Sequence, residues 1–243
     1  TWCFWSTEPT YLDAIAYREW DRVDVIGEGA HLKFPLAPYS YRMVRSADFY
    51  HFMREALAER PGVEFQYGTV TRVVDGEDRA EVWVNELAYG ADWVFDSRYR
   101  PSSYRPRSPR YHYLTQHFLG WEIESERPIF NPEAVRLFDF RTPQRGAMRF
   151  VYVLPYSETR GLVEYTLFSK ELLPEHAYER ALRSYIEEGM EAADCRIVEE
   201  ERDIIPMTDE PARRRAGRRV LNIGTRGGRV KASSGYGFLR IQQ

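Results

Sequence analysis

Between Thr115 and Phe168 the chain alternates apolar and polar residues in four stretches: Thr115 to Glu124, Val135 to Phe140, Met148 to Leu154 and Leu162 to Phe168. Asn131-Pro132, Thr142 to Gly146 and Pro155 to Gly161 interrupt them with turn-forming residues. That pattern predicts an antiparallel meander, and whatever else the chain builds must be arranged around it.

The flanks read differently. Val23 and Val25 alternate with Leu32, Phe34 and Leu36 across Gly27-Glu28-Gly29, which predicts a hairpin. Phe49, Phe52, Met53, Ala56 and Leu57 recur at helical spacing, with Ser46 as N-cap and Pro61-Gly62 as the stop. Strands are expected at Val63 to Tyr67 and Val70 to Val74. Ala80 to Val84 is expected to pair with Ala91 to Phe95 across a turn near Tyr89-Gly90, ending in Asp96-Ser97-Arg98. Beyond the meander, Pro174 opens a helix through Tyr178, Ala181, Leu182, Tyr185 and Ile186. A strand near Arg196 to Glu201 and a last one at Val220, Leu221 and Ile223 follow. The order is α/β, then an antiparallel β insert, then a return to α/β, which divides the chain into 1–110, 111–205 and 206–243.

The 243 residues are 43% hydrophobic, enough for one large domain or two closely packed ones. A net charge of -3 argues against nucleic acid as the main partner. Arginines nonetheless cluster at Arg98, Arg100, Arg105, Arg107 and Arg110, and again at Arg213, Arg214, Arg215, Arg218 and Arg219. Either cluster suits anionic lipid headgroups or a solvated loop. Two cysteines far apart, Cys3 and Cys195, and five scattered histidines point to no disulfide framework and no metal site. No run of about 18 apolar residues and no signal peptide are found, so a cytoplasmic location is expected. The chain opens on Thr1 without an initiating Met and reads as a fragment.

Chemistry is sought among carboxylates in apolar strands. Glu164 shares a strand face with Leu162, Thr166 and Phe168. Desolvation there would raise its pKa and keep its proton on, as a general acid requires; the alternative is a buried Glu paired with an arginine such as Arg149. Glu122 alternates with Leu119, Trp121 and Ile123 and shares a face with Gly120 and Glu124, which predicts a solvent-facing side chain. Phe118, Trp121, Phe150, Tyr152, Tyr165 and Phe168 are either core or the lining of an apolar tunnel able to stabilise a cation. Near the end, a strand runs into Gly224, Gly227 and Gly228, and a second small-residue turn with Gly235 and Gly237 precedes a helix start. Such backbone is either a phosphate cradle or a pair of tight turns.

These residues carry a resemblance. Trp2-Cys-Phe-Trp5, Tyr41-Arg-Met-Val-Arg-Ser-Ala-Asp-Phe-Tyr50, Phe95-Asp-Ser-Arg98, Gln116-His-Phe-Leu-Gly-Trp-Glu-Ile123, Phe138-Asp-Phe-Arg-Thr-Pro-Gln144, Phe150-Val-Tyr-Val-Leu-Pro-Tyr156, Leu162-Val-Glu-Tyr-Thr166, Ile205-Pro-Met-Thr-Asp209 and Ile223-Gly-Thr-Arg-Gly-Gly-Arg-Val-Lys231 stand in an order that resembles the flavin-dependent lycopene cyclases of the beta-cyclase type. The resemblance implies a Rossmann-like FAD/NAD(P)-binding domain interrupted by an antiparallel substrate-binding sheet. It also implies that the Gly-x-Gly-x-x-Gly region and a helical carboxy-terminal part lie outside this sequence.

The implied activity is acid-catalysed cyclisation of lycopene to β-rings, with reduced FAD as a non-redox cofactor and NADPH as its reductant. The family's Gly-x-Glu glutamate matches Glu122, the likelier acid or base on resemblance, and its second acidic motif matches Glu164. Flavin contacts are implied at Gly224, Thr225, Gly227, Gly228, Gly235 and Gly237, and at Asp96 and Arg98, with Arg45 a further candidate for flavin phosphate. Related flavoproteins carry Gly-Asp where this chain has Gly224-Thr225, so their acidic contact to the ribityl chain is not implied. Lycopene dissolves in membranes, so peripheral membrane contact is expected. The alternatives are a flavin-dependent isoprenoid reductase and a non-catalytic carotenoid-binding protein.

Overall fold

A computed structural model describes residues 1–101 and 107–242, which places Arg105 outside the described residues. The chain forms two compact units, one of residues 1–49 and 114–205, the other of 50–113 and 206–243.

The first unit holds β1 (Trp2–Ser6), β2 (Arg18–Trp20), β3 (Arg22–Gly27), β4 (Ala30–Pro35) and β5 (Ser40–Val44). It continues with β10 (Tyr113–Glu124), β11 (Val135–Asp139), β12 (Met148–Pro155), β13 (Arg160–Ser169), helix α2 (Glu175–Ser184) and β14 (Arg196–Thr208). Seven of these strands form a sheet in the order β14-β10-β13-β12-β11-β3-β4, and β1-β5-β2 form a smaller one. The hairpin expected around Gly27-Glu28-Gly29 is present, with Gly27 opposite Ala30 and Gly29 at φ 74°.

All four strands of the meander pair antiparallel, but only β11, β12 and β13 lie beside their sequence neighbours. β10 pairs with β13 instead, Gly120 facing Glu164 and Glu122 facing Leu162. The connection after β10 is tied to the β12–β13 turn, since Ser125 N donates to Thr159 O and Ile129 N and Phe130 N both donate to Glu158 O. Strand patterning reveals which stretches are strands, not their neighbours.

Alternation gives the large sheet two faces. One carries Leu119, Trp121, Ile123, Val151, Val153, Val163, Tyr165 and Leu167, which bury against Leu182, Tyr185 and Ile186 of the α2 segment and form the core. Of the aromatics read as either core or tunnel lining, Trp121 and Tyr165 are core. The opposite face keeps Phe118, Phe150, Tyr152 and Phe168 with the two glutamates, and Phe138 joins it with ring centroids 5.0 Å from Phe150.

The helix expected from Ser46 is α1 (Ser46–Ala58), but Ser46 is its first helical residue rather than its cap. The second unit adds β6 (Val70–Asp75), β7 (Ala80–Val84) and β8 (Leu87–Ala91) as an antiparallel sheet. β9 (Val94–Asp96) pairs in parallel with β15 (Val220–Asn222), and the short helix α3 (Phe238–Gln242) follows the glycine turns. Two expectations fail here. Residues 63–67 form no strand, and Val63, Phe65 and Tyr67 stay exposed. The partner of β7 is Leu87–Ala91 rather than Ala91 to Phe95, so the β7–β8 turn is Asn85-Glu86, at φ 46° and 72°, not Tyr89-Gly90. A two-residue turn with both residues left-handed suits the twist of a hairpin, but Glu is not the residue that advertises it.

Candidate functional site

Gly120 determines how the carboxylates of the first unit meet. On β10, between β14 and β13, a Cβ at this position would lie 3.2 Å from Glu201 Cγ and 3.4 Å from Glu164 Cβ. Without one, Glu164 and Glu201 reach each other across β10 and hydrogen bond carboxyl to carboxyl, a contact that needs one shared proton. Thr166 Oγ1 donates to Glu164 Oε1 at 2.6 Å. Burial, and after it the Glu201 charge, push Glu164 up to about 8. Arg149, the alternative partner, instead donates to Tyr165 Oη at 3.1 Å on the other face. The sequence reading missed Glu201; the signal available was a lone glycine inside a strand, which marks a close approach.

Glu122 is not solvent-facing. It is 8% exposed, and Arg160 Nε donates to its Oε1 at 2.5 Å. Tyr156 is packed near it, with Tyr17 edge-on to the Tyr156 ring at 5.1 Å, and Cys3 of β1 lies near Glu164 and Glu201. Burial pushes the Tyr156 phenol up, helped by the Glu122 charge, and pushes the Cys3 thiol up to about 12 against a hydrogen bond with Tyr41. Alternation along β10 correctly separates the faces but cannot reveal that a second layer covers this one. His117 offers no competing acid: burial and then Arg149 lower it to about 4, and it is held between Ser169 Oγ and Tyr178 Oη at 2.7 Å each.

In the second unit the glycine stretch follows β15 directly, with Ile223 N donating to Asp96 O at 3.0 Å. Gly224 takes φ 58°. At Gly227 there is no room for a side chain, because a Cβ would lie 2.5 Å from Asn222 O. The amides of Gly227, Gly228 and Arg229 donate to carbonyls of Ile223, Gly224 and Thr225. Those of Gly224, Thr225 and Arg226 have no internal acceptor among the described residues, and these are the donors left for an anion. Asp96 sits beside the turn, 5% exposed. Burial alone would raise it, but hydrogen bonds from Arg98 and the Arg226 charge outweigh burial and hold it below the usual carboxylate range. Arg226 also donates to Arg98 O at 3.0 Å.

A cavity of about 740 Å³ opens here, lined among others by Arg98, Arg107, Thr225, Arg226, Gly227 and Gly228. Gly235, at φ 72°, and Gly237 form the following turn, where Gly235 N donates to Lys231 O. A turn with free leading amides and arginines around it suits a phosphate-bearing group. Arg45 belongs to the first unit, chelated by Asp48 and stacked over Tyr17 at 4.1 Å. Among the described residues no three His, Cys, Asp or Glu are grouped to hold a metal, and no helix is long and apolar enough to cross a membrane.

Comparison with known proteins adds the family. A lycopene beta-cyclase from Paracoccus sp. (strain N81106 / MBIC 01143) is 36% identical over 94 residues, which is 38% of this chain and 23% of that protein. Among solved structures, a geranylgeranyl bacteriochlorophyll reductase-like protein from Thermoplasma acidophilum superposes with a TM-score of 0.68 at 11% identity, covering 94% of this chain and 60% of that one. A variant of halogenase PltM in complex with FAD superposes with a TM-score of 0.57 at 12% identity, covering 95% and 52%. The chain thus spans little more than half the length of these structures, and its fold is the mixed α/β fold of FAD-binding oxidoreductases and halogenases. The family model described as lycopene cyclase protein matches residues 1–243, and the chain belongs to the lycopene cyclase family.

Proposed function

We propose that this chain is the catalytic portion of a lycopene beta-cyclase. The observation that carries the proposal is Glu164: a carboxyl desolvated on an aromatic sheet face, paired with no arginine or lysine among the described residues and beside a second carboxyl, which keeps its proton at neutral pH although the Thr1 nitrogen, ion-paired to Glu201 at 3.0 Å, opposes this. Protonated Glu164 donates to the end-group alkene of lycopene and leaves a tertiary cation. A neighbouring double bond of the same molecule attacks that cation and closes the ring. Glu122, its charge met by Arg160, accepts the proton released when the ring alkene forms, so the net change is an isomerisation. Glu201 shares the Glu164 proton and is a positioning residue. Phe118, Phe150, Tyr152 and Phe168 exclude water from the cation and offer it ring faces.

Residues 50–113 and 206–243 are proposed as part of the flavin-binding domain. Gly224, Thr225, Gly227, Gly228, Gly235 and Gly237 would hold FAD from the turn side, with Asp96 and Arg98 bracing the turn. Bound flavin, with NADPH as its reductant, would supply electrostatic stabilisation in its reduced form, as a non-redox cofactor. Arg45 is left out, since its guanidinium is occupied by Asp48 and Tyr17. Peripheral attachment to the membrane gives access to the carotene.

The test is chromatography of pigments from lycopene-accumulating cells that express the whole encoded protein, unmodified or as Glu164→Gln. Cyclic carotene from the first and lycopene from the second is the expected result. Equal cyclic product from both overturns acid catalysis by Glu164. Consumption of one NADPH per product molecule would instead establish an isoprenoid reductase.

A further inference from the structure

The core-side face of the large sheet carries a second, unassigned cavity. About 730 Å³ in volume, it opens between α2, the loop joining β11 to β12 and the start of β12. Arg141, Arg145, Arg149, Arg180 and His176 line it, against a single carboxylate, Glu188. Neither arginine cluster visible in the sequence supplies these residues; only the fold collects them.

The arginines are held rather than merely adjacent. Gln144 clasps the loop, its Nε2 donating to Arg149 O at 2.7 Å and Thr142 O at 2.9 Å while its Oε1 accepts from Arg149 N at 3.0 Å. That clasp places Arg145, at φ 44°, at the loop tip. Arg149 is half-buried; its Nη1 donates to Tyr165 Oη, and its Nε is buried with no partner among the described residues. Arg141 is anchored by the fully buried Asp139, whose charge it meets together with Tyr185. Arg180 and His176 stand one helical turn apart on α2. Among the described residues no carboxylate pairs with Arg145, Arg149 or Arg180. Like charges gathered around a concave wall repel unless an anion joins them, and fixed guanidinium forks match phosphate oxygens two at a time.

We infer that this cavity binds the phosphate group of an anionic ligand, through Arg149 at its base and Arg145 and Arg180 at its mouth. The inference stands on this cavity alone, whatever the fate of the cyclase proposal. Two sources share that chemistry, a soluble phosphate or an anionic lipid headgroup. The test uses the whole encoded protein at low ionic strength. Isothermal calorimetry with inorganic pyrophosphate examines the first source. Flotation with phosphatidylcholine vesicles, with and without phosphatidylglycerol, examines the second.

Saturable pyrophosphate binding, or flotation dependent on phosphatidylglycerol, is expected, weakened at least tenfold in the double variant Arg145→Ala/Arg180→Ala. Both residues are exposed, so the variant should keep its fold, checked by circular dichroism. Arg149→Lys, which keeps the charge but loses the fork, should weaken binding as well. All measurements are made in an Arg226→Ala background, which weakens the glycine-loop cavity as a second phosphate site, and the double variant is compared within it. Absence of both signals overturns the inference. So does binding that survives the double variant in the Arg226→Ala background.

Discussion

Glu164 on the large sheet and Asp96 beside the glycine turn are almost equally buried, at 8% and 5% exposure, yet their acidities move in opposite directions. Asp96 has cations: Arg98 chelates it at 3.0 Å and Arg226 lies at 3.5 Å, so its negative charge is stabilised where it stands. Glu164 has a hydroxyl and another carboxyl, so its proton is retained. Burial alone assigns neither role. A buried carboxyl chelated by an arginine is an anchor, and one met by a hydroxyl and a second carboxyl is a reservoir of a proton.

The largest test of that contrast is Glu164→Gln. An acid group acting in the transition state contributes about 10²–10⁴-fold to rate, so cyclisation should fall by that range while circular dichroism stays unchanged. Loss of structure along with activity would make Glu164 an anchor like Asp96 and erase the contrast. On the other side, the glycine turn acts through backbone, and its break point is Gly227. An added methyl there meets Asn222 O, which is backbone and cannot rotate away. Gly227→Ala should cost about 2–3 kcal/mol of stability, read from the urea midpoint, with flavin retention falling in step. A neutral effect would mean that the turn relaxes freely and holds nothing in register.

Much of this was legible beforehand, and the failures have physical causes. Period-two alternation placed β10 through β13, the 22–35 hairpin and the faces of Glu122 and Glu164 because alternation is a local property of extended chain. It misjudged Glu122, since the cover supplied near Tyr17, Cys3 and Tyr156 comes from residues far away in sequence. The resemblance of Gln116 to Ile123 to the cyclases singled out Glu122 where periodicity did not. Glu201 went unnoticed for the same reason: its link to Glu164 runs across Gly120 on a third strand, and strand order is not written in any one strand. The glycine turn was legible as a turn, but which amides remain free depends on hydrogen bonds that only the fold shows.

The pH dependence sharpens the contrast between the two carboxyls. Glu164 is raised to about 8 by burial and then by Glu201; near it lie Cys3, the Thr1 nitrogen and Thr166. Its folded value exceeds its unfolded one, so the native state holds a proton that the unfolded chain releases above about 4.5. Stability from this group should decline as pH rises from there to about 8, and the activity limb should fall above about 8. Asp96 runs the other way, its contribution present above the unfolded value and lost as pH falls through the lower folded one. Glu201→Gln removes a like charge while keeping a hydrogen-bonding side chain, so the activity limb should move toward neutral by about one pH unit. An unmoved limb in the pH–rate profile would show that burial alone sets Glu164.

The smallest expected effect falls on the second unit and concerns the turn that the sequence hid. Asn85 and Glu86 both take left-handed backbone, at φ 46° and 72°. Asn tolerates that region, and Glu pays for it with a Cβ too close to the following carbonyl. Glu86 is exposed, so its side chain has no core to lose. Glu86→Gly should therefore stabilise the β7–β8 hairpin by about 1 kcal/mol, the strain relieved exceeding the extra freedom glycine gains when unfolded. Urea titration of the whole encoded protein measures it. A loss of stability instead would mean that the Glu86 side chain makes a contact outweighing the strain, and that this turn, unlike Gly227, is chosen for its side chain and not its backbone.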